Sequence, residues 1–444
     1  MGNSRVAVAA AVLAALAVTV PGLAAASRQP NARGRVAHSR GQAQARGQVA
    51  QRSRPASAAD PRPYAAADTA FGLDALAAWC SRDPHANLVL SPASLATGMG
   101  MAYLGARGQT AAVMAHAFQL PPAAAVAASG GPAAGRALST FVEGMQGRSA
   151  AMRALDGPGV TVLGSDHVWT DKRIRPEQSY LRDVAAAYGA HVSPVPLLTD
   201  VASARRTINA TITRETRGQI TNLFPAGSIH NDGWVLTDAM YLNAAWARPF
   251  DSARTAAGPF TTAAGHAVWP EFLHATGEYA YAHASGWTAV SLPYRGGKLA
   301  MVALLPDSGR AACPAIGPAA LSLVTSRLVT QPIGLAMPKV RLASKADMAP
   351  VLADLGMGTA FGPAANFSGL SPAAGSLSVV EHAATMQVGE KGTVAAAATG
   401  VGIGVTAVIR HKNVVFDRPY LLLVRDSVTG EPLFLGRVTD PSQG

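Results

Sequence analysis

The sequence predicts an α+β domain in which helices pack around β-sheets. Amphipathic helical patterning fills 65–83, 94–119 and 134–152. After residue 160 the chain changes to short segments rich in β-branched and aromatic residues and bounded by Gly, Pro, Asn and Asp, which is typical of strands. These segments lie at 160–170, 234–246, 288–294, 298–307, 333–342, 377–388, 414–426 and 432–440. Helices first and many strands afterwards indicate a single α+β domain.

The composition supports one large domain from about residue 65 to the C-terminus. The chain has 444 residues, of which 49% are hydrophobic and 14% charged, so it can bury a large core. We find no repeat at a fixed period and no second linker after residue 65. The predicted domain therefore covers 65–444.

The first 26 residues resemble a secretory signal peptide. Arg5 precedes an apolar stretch at 6–20, and small residues follow at 24–26. The alternative is an uncleaved membrane anchor, but the apolar stretch is shorter than the ~20 residues that a spanning helix needs. We expect a secreted, extracellular protein with no membrane span.

Residues 27–64 form an arginine-rich arm whose composition is that of a disordered segment. Its arginines are Arg28, Arg33, Arg35, Arg40, Arg46, Arg52, Arg54 and Arg62, and no acidic residue lies between 28 and 59. The arm contributes to the net charge of +11. Two interpretations stay open: residues 28–62 dock onto an anionic surface such as cell wall, nucleic acid or glycan, or they are a solvated spacer.

Cys80 and Cys313 are the two cysteines of the chain. In an exported protein they can pair, and otherwise they remain free. They are too few for a disulfide framework or a four-cysteine zinc site.

The motifs of the common enzyme classes are missing from the sequence. It contains no G-x-S-x-G, no H-E-x-x-H, no P-loop and no dinucleotide-binding glycine motif with its acidic partner. Its 11 histidines never lie four residues apart. We therefore expect a protein that is not an enzyme and that has no cofactor and no metal.

Five segments resemble those of the serpins, in the order in which that family has them. The first is 86–114, with Asn87, Ser91, Pro92, Ser94 and the run at 105–110. The others are 208–224, 234–251, 291–307 and 416–441. The resemblance covers about 65–441. It implies the serpin fold, in which helices pack around a large mixed central β-sheet, two smaller sheets complete the domain, and a reactive-centre loop is exposed.

Three positions differ from the family pattern. Ser165 replaces the usual Asn of its strand, residues 270–272 replace a Met pair, and Asn366 replaces an acid. We expect these changes to weaken local contacts and to leave the fold unchanged.

A hinge and an inserting loop follow from the resemblance near the C-terminus. His382 lies eight residues before Glu390, which matches the family pattern H-x₇-E-x-G-T. The implied hinge consists of Glu390, Lys391, Gly392 and Thr393, and the inserting loop continues with Ala395, Ala396, Ala397, Ala398 and Thr399.

The loop also meets a physical requirement for entering a sheet. Alternate side chains of an inserted strand must pack against a core. Counting by twos from Thr393 gives small and then β-branched residues without charge: Thr393, Ala395, Ala397, Thr399, Val401 and Ile403. A buried charge in this set would cost several kcal/mol. The competing interpretation is an ordinary alanine-rich linker.

The resemblance also implies a polar gate beneath the sheet and an entry point above it. The gate residues are Ser91, Ser94, Asn209 and His382, and Trp246 marks the breach, where the loop enters. Taken singly, Ser91 can be a helix cap and His382 a core histidine.

The implied activity is suicide inhibition of serine proteases by a monomeric protein. The protease cuts the exposed loop, forms a covalent acyl-enzyme and is trapped when the loop inserts. Counting from Glu390 places the reactive bond at Thr406–Ala407, and counting back from Phe416 gives Val408. These residues suit elastase- or subtilisin-like proteases, whereas Arg410 would suit a trypsin-like one.

Two other functions stay open. One is a non-inhibitory serpin that acts as a carrier or binding protein. The small residues 395–398 argue against it, and Val394 favours it slightly. The other is a surface-binding protein that works through the arginine-rich arm.

Overall fold

The computed structural model describes residues 59–125, 131–229, 233–307, 313–377, 379–393 and 411–443. Several predictions lie outside the described residues. These are the signal peptide at 1–26, most of the arginine-rich arm, the inserting loop from Ala395 to Thr399, and the candidate reactive bond at Thr406, Ala407 and Val408, together with Arg410.

The described residues contain eight α-helices. They are α1 (Arg62–Arg82), α2 (Pro92–Gly105), α3 (Gly108–Ala117), α4 (Pro132–Arg153), α5 (Gln178–Tyr188), α6 (Val201–Glu215), α7 (Pro318–Ser326) and α8 (Ala349–Leu352). The segment 94–119, predicted as one helix, is two helices. Arg107 between them has extended backbone, and its N–H donates to the carbonyl of Asn366 at 2.9 Å, so the helix cannot continue through it.

Seventeen strands are described. They are β1 (Leu88–Leu90), β2 (Val160–Asp171), β3 (His191–Val195), β4 (Trp234–Ala245), β5 (Ala256–Ala257), β6 (Phe260–Thr261), β7 (Ala267–Val268), β8 (Glu271–Ala284), β9 (Trp287–Pro293), β10 (Leu299–Pro306), β11 (Val329–Pro338), β12 (Val340–Asp347), β13 (Glu381–Gly389), β14 (Gly392–Thr393), β15 (Lys412–Val415), β16 (Tyr420–Asp426) and β17 (Pro432–Val438).

The described strands form three sheets, which confirms the predicted α+β class. The largest has nine strands, in the order β1-β17-β16-β10-β9-β8-β11-β15 with β5 added beside β8. The second has six strands, in the order β12-β13-β14-β4-β2-β3, and β6 and β7 form a small hairpin sheet. The six-stranded sheet is mixed, since β2 and β3 run parallel. It is the sheet that contains the predicted hinge.

Two predicted strands are each divided between different partners. In the segment 333–342, strand β11 of the nine-stranded sheet ends at Pro338. After Lys339 the chain enters β12 of the six-stranded sheet. The segment 414–426 divides into β15 and β16. Strand β8 was not predicted, because its alanines, glycine and acidic residues weaken the usual strand signal.

The two large sheets face each other across a core. Met240 and Leu242 of β4 and Met386 of β13 meet Met301 of β10 and Leu422 of β16, all of them nearly fully buried. Alternation of side chains along each strand puts one face of each sheet into this layer. The hinge strand therefore adjoins a packed apolar layer.

Helix α6 covers part of the six-stranded sheet. Ile208 and Ile212 of α6 pack against Trp169 of β2. At its C-terminal end, Glu215 accepts hydrogen bonds at 2.7 Å from both Ser165 and His167 of β2. Ser165, which departs from the family pattern, therefore links α6 to β2. The substitution was expected to weaken a local contact, but here the serine makes one.

A buried ionic cluster joins three helices to the turn before β17. Arg148 of α4 pairs with Asp68 of α1 at 2.6 Å and with Glu431 at 2.7 Å. Its guanidinium also donates to Thr97 of α2 at 2.8 Å. Burial raises the pKa of Glu431 well above its usual range and raises that of Asp68 as well, whereas Arg148 lowers both.

Cys80 and Cys313 form a disulfide, which resolves the alternatives left open by the sequence. The bridge joins the last turn of α1 to the segment before α7, with Cα atoms 5.8 Å apart.

Candidate functional site

The hinge begins inside the six-stranded sheet. Gly392 and Thr393 form β14, which pairs antiparallel with Gly389 and Val388 of β13 on one side and with Ala245 and Ala244 of β4 on the other. The first residues of the loop are therefore already paired between two strands.

Gly392 is required by the close approach of the neighbouring strand. Its φ is +150°, and a Cβ at this position would collide with the carbonyl oxygen of Ala244. A side chain would push the hinge out of the sheet, which explains the glycine of the hinge motif.

Thr393 is buried at the top of the sheet and 1% exposed. Its hydroxyl forms a hydrogen bond of 2.6 Å with the hydroxyl of Tyr294. The Tyr294 ring is itself stacked on Trp246, with ring centroids 4.5 Å apart. Burial raises the pKa of Tyr294, so the phenol stays protonated at neutral pH.

Trp246, predicted at the breach, contacts the hinge directly. Its indole N–H donates to the carbonyl of Gly389 at 2.9 Å, and its backbone N–H donates to the carbonyl of Lys391 at 3.0 Å. The next turn adds a bond from Phe250 N–H to the carbonyl of Glu390 at 2.7 Å. The segment after β4 thus holds the hinge backbone at three points.

An ion-pair network fixes Glu390 at the start of the hinge. Its carboxylate accepts from Lys339 and from Thr255, each at 3.1 Å, and Lys339 also pairs with Glu271 at 2.9 Å. Partial burial raises the pKa of Glu390, but these bonds outweigh it and hold the pKa below the usual value. Glu271, counted above as a departure from the family, therefore makes a contact at the hinge.

Three residues of this site, Tyr294, Lys339 and Thr255, were not predicted from the sequence. Tyr294 belongs to the L-P-Y motif of the segment 291–307, which was used only to support the family. Lys339 lay inside the predicted strand 333–342, where the cation directly after Pro338 was a usable signal of a break between two strands.

Ser91, Ser94 and His382 lie together beneath the sheet. Ser91 caps α2 by accepting from Ser94 N–H at 3.1 Å, and its own N–H donates to His382 Nε2 at 3.1 Å. The Ser91 hydroxyl lies 3.7 Å from the sulfur of Met240 in β4. The gate therefore joins α2 to β13 and β4, the two strands that flank β14.

Asn209 is not part of this cluster, contrary to expectation. It lies on α6, where its amide accepts from Phe224 N–H at 2.9 Å and donates to the Phe224 carbonyl at 2.8 Å. The asparagine therefore closes the loop after α6, while Met240 contacts Ser91 at the gate.

His382 must be neutral for this arrangement. Its Nε2 accepts a hydrogen bond from Ser91 N–H, so the ring proton is on Nδ1, and the side chain is 1% exposed. Burial lowers the pKa of His382 from 6.5 to about 4. A protonated ring could not accept this bond.

Acid should therefore weaken the gate. Because His382 takes up a proton more readily in the unfolded chain, its contribution to stability is complete above pH 6.5 and is lost as the pH falls toward about 4. The loss amounts to about 3 kcal/mol of unfolding free energy. Urea unfolding of the wild type and of His382→Gln, measured from pH 7.5 to 4, tests this. The difference between the two proteins should shrink as the pH falls, and parallel curves would contradict the prediction.

The six-stranded sheet thus holds Gly392 and Thr393 between β13 and β4, and Ser91 joins the same two strands through His382 and Met240. The chain matches the family described as Serpin (serine protease inhibitor) over residues 66–441, and it belongs to the serpin family. The chain therefore has the serpin fold that the sequence predicted.

Several relatives match across most of the chain. Leukocyte elastase inhibitor of Bos taurus is 26% identical over 389 residues, which are 85% of this chain and 99% of the relative. An uncharacterised serpin-like protein of Thermococcus kodakarensis is 29% identical over 364 residues, which are 81% of this chain and 82% of the relative.

Solved structures agree on the fold. Human thyroxine-binding globulin superposes with a TM-score of 0.72 at 23% identity, covering 86% of this chain and 99% of that one. Uncleaved ovalbumin gives a TM-score of 0.71 at 22% identity, covering 85% and 100%. In the part of the chain that the structure describes, we find no helix with the length and apolar character needed to cross a bilayer.

Proposed function

We propose that the protein is a suicide inhibitor of serine proteases that traps its target by inserting the cut loop into the six-stranded sheet. The observation that carries the proposal is the position of Thr393. It is buried and paired on both sides, between β4 and β13. A loop that starts in this place can extend as a strand between β4 and β13, which must separate to admit it.

The register of β14 gives the partners of the inserted strand. If the inserted strand keeps the register of β14, Ala395 lies opposite Leu242 of β4 and Met386 of β13. Two residues later, Ala397 faces Met240 and Ala384 on the same side. These four partners belong to the packed layer between the two large sheets. The small side chains of the loop fit a layer that is already filled.

The same register brings Thr399 to the level of His382. Insertion must therefore pass the point where His382 accepts from Ser91. We infer that the gate resists insertion in the uncut protein and re-forms around the inserted strand. Trp246 and Tyr294 fix the hinge above it, so that extension of the strand proceeds downward from Thr393.

Trapping depends on timing. The protease forms an acyl bond to the loop, and insertion of the loop before deacylation carries the protease away from its starting position. Distortion then removes the oxyanion hole and the triad geometry on which hydrolysis depends. The chain itself acts as the cut substrate and performs no turnover.

The proposed targets have small apolar specificity pockets. Thr406, Ala407 and Val408 are the candidates for the reactive bond, and leukocyte elastase inhibitor is among the relatives named above. We further propose that residues 1–26 direct export, so that the inhibitor meets its targets outside the cell.

The test is to mix the chain from residue 27 onward with elastase, a subtilisin, chymotrypsin and trypsin. We expect a complex with elastase or subtilisin that survives boiling in SDS. Mass spectrometry should find a released C-terminal peptide that begins at Ala407 or Ile409. A trypsin complex with a peptide beginning at His411 would move the reactive bond to Arg410.

The same gel distinguishes inhibition from a carrier function, and a binding assay distinguishes inhibition by the domain from binding through the arm. A non-inhibitory carrier would be cleaved in the loop by every protease and would form no complex with any of them. A protein that works through its arm would lose binding to anionic material when residues 27–62 are deleted, whereas inhibition by the domain should survive this deletion.

A further inference from the structure

The Cys80–Cys313 disulfide lies against the side chain of Arg437 in β17. One terminal nitrogen of the guanidinium contacts the sulfur of Cys80 and lies 3.3 Å from that of Cys313. The other donates to the backbone carbonyls of Asp83, at 2.8 Å, and Ala86. Hydrogen bonds to the loop after α1 therefore hold the guanidinium against the disulfide.

Arg437 is a buried charge, with 1% of its surface exposed. Burial lowers the pKa of its guanidinium to about 10, since the charge is poorly solvated there. An anion at the Cys80 sulfur would be stabilised by this cation. Cationic neighbours of this kind favour the thiolate form of cysteine.

The two sulfur atoms differ in accessibility. Cys80 is 2% exposed, whereas Cys313 is only partly buried. Both border a cavity of about 140 Å³ whose other walls include Leu73, Leu76 and Ile316. A small thiol can approach Cys313 through this space more easily than it can reach Cys80.

Among the described residues, the other charged groups near the bridge are more exposed than Arg437. Asp74 of α1 borders the cavity, but its side chain is exposed and bonds to Gln119 at 2.6 Å. Asp83 is exposed too, and its charge favours the protonated form of Arg437. Helix α7 contributes no titratable side chain. Because water screens the two carboxylates, the buried guanidinium dominates the field at Cys80.

We propose that the Cys80–Cys313 disulfide is a thiol-exchange site that a low-molecular-weight thiol opens at Cys313, with Arg437 holding the Cys80 sulfur as a thiolate. In the first step the thiolate reagent bonds to the Cys313 sulfur. The bond between the two cysteines breaks, and its electron pair leaves on Cys80. A second thiolate then attacks the mixed disulfide and forms the oxidised reagent, and Cys313 leaves as a thiolate that takes a proton from water.

Opening the bridge removes the covalent connection between α1 and the segment before α7. Helix α7 packs against β8 and β9 of the nine-stranded sheet. The bridge thus controls how firmly this helix is attached, at a place separate from the hinge and the gate. This proposal does not depend on the inhibitory function.

The first experiment uses the native protein without denaturant. It is exposed briefly to 2-mercaptoethanol at pH 7, quenched with acid and mapped by mass spectrometry. We expect the mixed disulfide on Cys313 and a free thiol on Cys80. Adduct formation on Cys80, or opening only at denaturant concentrations that unfold the protein, would overturn the proposal.

The second experiment titrates the Cys80 thiol in Cys313→Ser by its thiolate ultraviolet absorbance. In the folded variant we expect a midpoint about one pH unit or more below the ~8.5 of a free cysteine. The same protein unfolded in urea is the matched control and should titrate near the ordinary value. A folded midpoint at or above the unfolded one would overturn the assigned role of Arg437.

Discussion

Thr393→Arg should abolish the SDS-stable complex while the protease still cleaves the loop. The side chain of Thr393 is 1% exposed and faces Tyr294, so an arginine there would need either burial of an unpaired charge or expulsion of the hinge from the sheet. A cost of about 3 kcal/mol in the insertion step slows insertion about 100-fold. Deacylation is then faster than insertion, and the protein becomes an ordinary substrate. Complex formation on gels, together with recovery of protease activity, measures this.

Thr393→Ser is the matched control. It keeps the hydroxyl that bonds to Tyr294 and adds no charge, so complexes should form nearly as in the wild type. Lys391, two residues earlier, is exposed and already carries a charge. The hinge therefore tolerates a charge at an exposed position, and we expect it to exclude one at the buried position of Thr393. Equal yields of complex from Thr393→Arg and the wild type would contradict the insertion mechanism.

Arg148→Met should destabilise the folded protein by about 3–5 kcal/mol. The substitution leaves Asp68 and Glu431 buried beside each other without their cation, and it removes the bond to Thr97. Proton uptake, which the raised pKa values of both carboxyl groups favour, offsets only part of this cost. Urea unfolding at pH 7, followed by circular dichroism, gives the loss of unfolding free energy.

Two variants isolate the electrostatic cause. Arg153→Met, at the exposed end of the same helix, should change the stability by less than about 0.5 kcal/mol. Glu431→Gln should cost less than about 1 kcal/mol, because burial raises the pKa of Glu431 so far that a neutral amide of similar shape resembles the protonated acid. A large loss for Glu431→Gln would mean that Glu431 is ionised in the folded protein.

The sequence was sufficient for features that depend on local pattern. Strand β2 (Val160–Asp171) nearly coincides with the predicted 160–170, because alternation and β-branched residues act within one strand. The spacing from His382 led to Thr393, the residue that lies between β4 and β13. The strand signal is short-range and needs no knowledge of the fold, whereas the spacing that led to Thr393 came from the family pattern.

Features that depend on distant partners could not be predicted in the same way. Lys339 pairs with Glu390 and Glu271 only because folding brings these two distant residues within ion-pair distance of it. Arg148 looked like one residue of an amphipathic helix at 134–152, whereas three other elements enclose it. Asn209 was assigned to the gate from a motif alone, which does not say that its amide bonds to Phe224.

The central claim, that the cut loop becomes a strand of the six-stranded sheet, is tested most directly by thermal unfolding after cleavage. The loop is cut by a protease that forms no complex, and the melting temperature is compared with that of the uncut protein, with Thr393→Arg treated in parallel. Insertion adds backbone pairs to β4 and β13 and buries the alternate loop side chains, so the cut wild type should melt well above the uncut protein, and cut Thr393→Arg should not. An unchanged or lower melting temperature for the cut wild type would contradict the account.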